Sequence, residues 1–441
     1  MIPRQQRPLP GSRRRPRLHG ALLPLLLVLA GCPSPEEPDP ADPSSYLEDV
    51  AYRRMVLERD LLDHDNDYAQ RRLAQYGIEG ERWEALPERA PPSRALTDAD
   101  RALLAAGEPL TFDPASVDPI VPAELPVDAA GWRALGDRVF EEYPVRVAPE
   151  FEALAAIEDG LERSGFLQDA DGGWVGLRVF EDGDGAVRVG PSCAQCHTTF
   201  GVDGERSPRL ANKAMDSGLA LLLSMGEDPD RPPPPPALAS LAAIGPGRAD
   251  VTADSIDNPL ALPDLGGLID QPYLQMNANW FHREPATLAI RCETLFIRSN
   301  SERSRPPRPL AWAVAAWIGS LPPPDPLDGD PGPPADRGAA VFADAGCDAC
   351  HSPPLYTSDR RVELEEVGTD LAALDSPERT TGFVRIPSLR GVGRTGPYLH
   401  HGAVPSLEAF FDPEREEPGH RFGLELSEGD RDDLLAFLRS I

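Results

Sequence analysis

Apolar positions along the chain fall into a few repeated patterns. Leu434, Leu438 and Ile441 recur at the spacing of one helical face, and Ser427 stands where a capping residue would start that helix. Gly136-Asp-Arg-Val-Phe140 matches Gly338-Ala-Ala-Val-Phe342, and Ala316-Trp-Ile-Gly-Ser-Leu321 matches Ala436-Phe-Leu-Arg-Ser-Ile441. The same opening and closing helices are therefore predicted twice. Between Phe140 and Cys193, alternating apolar residues lie between Asp171-Gly172-Gly173 and Asp182-Gly183-Asp184-Gly185, which predicts a small β-hairpin insertion. Residues 46–130 read as a helical extension broken by prolines, with no evident chemistry and with His64 as a solvated surface group. A Pro-rich run over 322–335 marks a stiff boundary.

The N-terminus carries a different pattern. An Arg-rich leader precedes an apolar run from Ala21 to Ala30 and then Leu29-Ala30-Gly31-Cys32. That run is too short for a bilayer, which needs about 20 residues, so residues 1–31 predict a signal peptide. The last four residues resemble a lipobox, making Cys32 the expected lipidation site and the chain a periplasm-facing membrane lipoprotein. The alternative is ordinary cleavage near Ala30. Residues 32–45 are Pro, Glu, Asp and Ser in the main and predict a disordered tether.

Composition narrows the partners. The 441 residues hold 72 acidic and 43 basic side chains, a formal net charge of −29, and Lys213 is the only lysine. Such a body repels nucleic acid, so a protein partner is expected to present a basic docking face.

The chemistry lies in the cysteines. Four of six form Cys193-Ala-Gln-Cys196-His197 and Cys347-Asp-Ala-Cys350-His351, two copies of the c-type haem attachment signature. Two thiols three positions apart can bond both vinyl groups of one porphyrin, and the next residue then offers its imidazole to the iron. Two covalently bound haem c groups are predicted, with His197 and His351 as proximal ligands. Zinc is the competing reading of paired Cys-x-x-Cys motifs. It is disfavoured by the histidine that follows each pair and by the export signal. Cys292 is left alone and reads as a buried small apolar residue.

An iron with two protein ligands passes electrons, whereas one with an open position can bind an oxidant. No methionine follows Cys347, which leaves His400, His401 and His420; His420, in Pro418-Gly-His-Arg-Phe422 shortly before the last helix, is the candidate sixth ligand of the second iron, with a solvent-facing histidine as the alternative. For the first iron Met215 is the best of a weak set that includes Met225, Met276 and His282, and its core-packing alternative stands beside it.

The fold class expected is mainly α, with two tandem c-type cytochrome domains over 131–321 and 336–441. Residues 386–408, from Ile386-Pro-Ser-Leu-Arg-Gly through Gly396-Pro-Tyr-Leu-His-His-Gly402 to Ser406-Leu-Glu408, together with the two cysteine motifs, resemble the bacterial di-haem cytochrome c peroxidase-like family. Its relatives include the enzyme that matures methylamine dehydrogenase and the di-haem rubber oxygenases. The resemblance implies a calcium held partly by backbone carbonyls at Thr395 and Pro397, although no carboxylate cage is visible. It also implies an inter-haem tryptophan and an acid/base group, for which Trp280, Glu284 and Glu293 stand in, since the family's Trp-Asp-Gly-Arg segment is replaced by Trp280-Phe-His-Arg283. A histidine ligand without a C-terminal methionine is more like the rubber oxygenases.

Two function classes remain. One is a di-haem oxidoreductase with peroxidase-like or dioxygen chemistry at one iron. The other is a pure electron carrier with both irons six-coordinate.

Overall fold

The computed structural model describes residues 42–441 apart from 77–81, 202–203, 230–234, 251–257, 329–331 and 370–375. The predicted signal peptide, Cys32 and most of the tether lie outside the described residues. Helices α1 (Pro43–Glu48), α2 (Val50–Asp60) and α3 (Asp67–Tyr76) open the extension. Asp42 accepts from the Ser44 amide at 3.0 Å and caps α1, so residues 43–45, within the expected tether, are helical.

Strand β1 (Ser93–Thr97) follows, then helix α4 (Ala129–Glu142) and strands β2 (Gly173–Glu181) and β3 (Val187–Pro191). The hairpin expected from the Asp-Gly pairs is β2–β3, antiparallel, turning at Asp182–Gly185. The sequence reading did not anticipate that β1, from the extension, adds a third antiparallel strand to it.

The remaining frame is α5 (Pro285–Ser299), α6 (Arg308–Ile318), α7 (Gly332–Asp344), strands β4 (Ser358–Glu363) and β5 (Phe383–Ile386), and α8 (Glu428–Ser440). The architecture is mainly helical with small antiparallel sheets. Helix α4 crosses α6, and α7 crosses α8. Each crossing is built in the same way. A Cβ on Gly136 would collide with the Ala313 carbonyl and the Trp317 Cβ, and one on Gly338 with the Asp433 carbonyl and the Phe437 Cβ. Glycine lets the two backbones touch, and one turn later Phe140 meets Trp317 at 4.4 Å and Phe342 meets Phe437 at 5.3 Å between ring centres. Ser427 caps α8 by accepting from the Asp430 amide, as its position predicts.

The extension is more than a surface cover. Tyr46 is fully buried against Trp312, and its hydroxyl donates to Glu293 Oε2 at 2.7 Å. Asn66 Nδ2 donates to the carbonyls of Pro377 and Thr380 at 3.1 and 2.8 Å, and Arg361 pairs with Asp63 at 2.6 Å. The 43–76 segment thus grips α5 and α6 on one side and β4 with the chain after it on the other. His64 is exposed, as a surface group should be, and its Nε2 lies 2.7 Å from the Leu61 carbonyl.

The Pro-rich run is also held. Arg209 Nη2 meets Asp325 at 3.1 Å, Arg394 Nε donates to the Asp325 carbonyl at 3.0 Å, and the Asp328 amide donates to the Arg439 carbonyl at 3.1 Å. Helix α7 begins at Gly332, inside the expected linker, because prolines at the first turn cost no backbone hydrogen bond. Among the described residues no helix is long and apolar enough to cross a membrane.

Candidate functional site

Each cysteine motif sits on a short helical turn placed by its neighbours. In the first, the Ser192 amide donates to the Gly176 carbonyl at 2.8 Å. Gly176 has φ +69°, and any Cβ there would strike the Gln195 backbone. Strand β2 therefore lies directly on the Cys193–His197 turn, and Ala194 and Gln195 are buried. In the second, left-handed Gly346 (φ +75°) leads into the turn Cys347–Ala349, and the His351 amide donates to the Cys347 carbonyl at 2.9 Å. Here Asp348 and Ala349 are exposed.

Both histidines are oriented by backbone. His197 Nδ1 lies 3.0 Å from the Pro263 carbonyl, and His351 Nδ1 lies 3.0 Å from the Tyr356 carbonyl, with the Pro387 backbone acting on it as well. A carbonyl at Nδ1 fixes the proton there and leaves Nε2 as the lone-pair donor, the arrangement metal-bound histidines use. The two supporting segments are themselves a repeat that the sequence reading missed. Leu262-Pro-Asp-Leu-Gly-Gly267 parallels Ile386-Pro-Ser-Leu-Arg-Gly391. Each ends at a left-handed glycine and runs into a 3-10 turn, Leu268–Asp270 or Val392–Arg394. The signal was the shared Pro-x-Leu-x-Gly spacing.

His420 stands opposite His351. Their ring centres are 6.3 Å apart, with the ring planes at 54°. Two imidazoles on opposite sides of one metal, with metal–nitrogen bonds of about 2 Å, have ring centres roughly 6 Å apart. His420 takes an uncommon positive φ of 44°, its amide held by the Val367 carbonyl at 2.9 Å, and Phe410 and Phe422 flank its ring, each at 5.2 Å. Its Nδ1 is buried without a hydrogen-bond partner. Burial, with His351 next to it, pushes His420 down to about 4, and burial pushes His197 down to about 4 as well. Both imidazoles are neutral at pH 7, as a ligand must be.

The surroundings fit a large flat group better than a bare ion. Cys193, Cys196, His197 and His420 are deep enough for burial to dominate their protonation, yet each keeps accessible surface, so they line internal clefts. Burial pushes the Cys196 thiol up to about 11. Among the described residues no group of three or more His, Cys, Asp or Glu converges as a bare metal ion requires.

The other predicted residues are placed elsewhere. Met215 is 2 % exposed in an apolar cluster with Leu154, Phe166 and Trp174, and its sulfur accepts from Gln195 Nε2 at 3.3 Å. Trp280 is fully buried and donates to the Tyr68 hydroxyl at 3.0 Å. Glu284 accepts from the Tyr52 hydroxyl at 2.7 Å and pairs with Arg59. Glu293 accepts from Tyr46 and Trp83 and faces Arg308 at 3.6 Å. Burial raises its pKa against the pull of Arg308. Both acids are thus tied to the extension, a role that spacing alone did not signal. Thr395 Oγ1 donates to the Val392 carbonyl at 3.2 Å beside Pro397, in a turn stapled by Tyr398. Cys292 is buried in α5.

No family model matches the chain. Among curated proteins it is similar to methylamine utilization protein MauG of Methylorubrum extorquens, with 37 % identity over 120 residues, covering 24 % of this chain and 34 % of that one. It is 33 % identical over 121 residues to MauG of Methylophilus methylotrophus, covering 24 % and 36 %. Cytochrome c peroxidase of Escherichia coli is 29 % identical over 117 residues, covering 24 % of each chain. The chain spans about a third of the length of the MauG proteins it matches. Among solved structures, a MauG-like protein associated with microbial copper homeostasis aligns at 15 % identity over 81 % of this chain and 94 % of that one, with a TM-score of 0.35.

Proposed function

We propose that this chain, a relative of the di-haem cytochrome c peroxidase-like proteins, is an exported di-haem c-type cytochrome that transfers electrons and carries peroxidase-like activity at one of its two sites. The observation that carries the reading is the His351–His420 pair at 6.3 Å beside Cys347 and Cys350. An iron held by both imidazoles would have no position left for an oxidant, so the second site would store and relay electrons. When bound, haem supplies reversible one-electron chemistry.

The chain's own residues do the rest. Cys347 and Cys350 tether the group, and the carbonyls of Tyr356 and Pro387 hold the His351 imidazole in one tautomer. The Val367 carbonyl holds the backbone of His420, and Phe410 and Phe422 flank its ring. At the first site, Cys193 and Cys196 tether and the Pro263 carbonyl orients His197. The sulfur of Met215 is turned to Gln195 in the core and is not offered as a ligand, so an iron held by His197 would be free to take an oxidant. A redox protein with a basic face suits the acidic surface, and anchoring through Cys32 would hold the body at the membrane.

The test is a haem count by pyridine haemochrome followed by peroxide turnover with a reduced electron donor. The expected result is two haems per chain and donor oxidation that stops when His197 is replaced. Two haems with no peroxide consumption would make the chain an electron carrier.

A further inference from the structure

Burial pushes three arginines in the described residues, Arg72, Arg178 and Arg385, down to about 10. Charged or phenolic neighbours act on the first two, including Tyr68 and Tyr76 on Arg72, and Glu141 and Glu142 on Arg178. Arg385 differs. No charged neighbour of either sign acts on it, and among the described residues no carboxylate lies within ion-pair distance. Among the described residues its side chain makes one hydrogen bond, from Nη1 to the Tyr273 carbonyl at 2.8 Å, so most of the guanidinium's five donors meet no acceptor there. The remaining donors keep accessible surface, and a guanidinium that lacks an anion in the protein is suited to take one from a ligand.

Its position says which ligand. Arg385 is on β5, and its amide donates to the Met276 carbonyl at 2.8 Å, so it sits at the seam between that strand and the 273–276 segment. Two residues later Pro387 reaches the His351 imidazole. The neighbouring Ile386 carbonyl accepts from Thr357, next to the Tyr356 carbonyl that orients the same ring. The side chain is partly buried, as the cleft-lining cysteines and His420 are.

We infer that Arg385 is a carboxylate-binding residue whose forked donors clamp a propionate of the haem bound by His351. This rests on the di-haem reading above. A free dicarboxylate entering the seam would offer the same chemistry, and the test separates the two sources. Positive charge beside a propionate disfavours the oxidised iron, so removing it lowers the midpoint potential.

The experiment is a spectroelectrochemical titration of the holo-protein, wild type against R385Q and R385K, each with its haem count and low-spin signal recorded first. R385Q retains a donor for the Tyr273 carbonyl. The expected result is a downward shift of the low-spin centre's midpoint in R385Q, a smaller one in R385K, and no change at the other centre. If R385Q does not assemble, R385K decides alone by an intermediate shift or none. A saturable effect of added succinate on the wild type, lost in R385Q without any shift in its absence, assigns the site to a free carboxylate. Wild-type potentials in the variants and no succinate effect, with two haems and the low-spin signal intact, overturn the Arg385 assignment. A wild-type chain that holds no haem overturns the di-haem reading itself.

Discussion

The two Cys-x-x-Cys-His sites share a plan and differ in depth. Both sit beside a glycine-mediated helix crossing, and both have a proline segment behind the histidine. The first is overlaid by β2 and lies against the core that the extension completes. The second shows its turn to solvent at Asp348 and Ala349 and is closed from inside by His420. A repeated framework has thus been given two environments, one shielded and one exposed. That division suits reaction at the first site and electron exchange at the second, since a surface site shortens the path to a partner.

Removing both thiols of one motif should separate the sites most strongly. Replacing Cys193 and Cys196 with Ala is expected to halve the haem count and to lower the melting temperature sharply, because the first cleft is interior. The same change at Cys347 and Cys350 should halve the count with a smaller thermal loss. Equal losses in both would remove the contrast in depth. Gly136→Ala and Gly338→Ala probe what the sites share. Each should cost about 1–3 kcal/mol or more by denaturant unfolding, since the added methyl meets backbone. A neutral result at either would mean the crossings are not equivalent.

The extension was the least legible part of the chain. Its helices were foreseen, yet Tyr46, Trp83 and Asn66 gave no sign that they bind residues 247, 210 and 311 or more positions away. Such partners are set by tertiary packing, which a local pattern does not encode. By contrast, the α8 stripe, its Ser427 cap, the hairpin and the cysteine motifs are local in sequence and were readable. His420 was singled out by its position before the last helix, once the lack of a methionine after Cys347 left only histidines. Arg385 and the paired proline segments needed the fold to be noticed.

Smaller effects belong to this interface. Tyr46→Phe leaves one oxygen of buried Glu293 without its donor and should cost about 1–3 kcal/mol while leaving the haem spectra unchanged. A spectral change would bring Glu293 back to the reactive site. The raised pKa of Glu293 means that the folded state holds its proton longer than the unfolded chain does. Its contribution is therefore fully present below the unfolded value of about 4.3 and is lost as pH rises through the folded value. E293Q should flatten that part of the stability–pH curve, and an unchanged slope would assign the dependence to other groups.

The central claim is that His351 and His420 close one iron. Low-temperature EPR of the oxidised holo-protein, wild type against H420A, tests it most directly. The account predicts a low-spin signal from two imidazole ligands that is lost in H420A and replaced by a high-spin one, while the other centre's signal is unchanged. Identical spectra in the two proteins, with two haems in each, would contradict it.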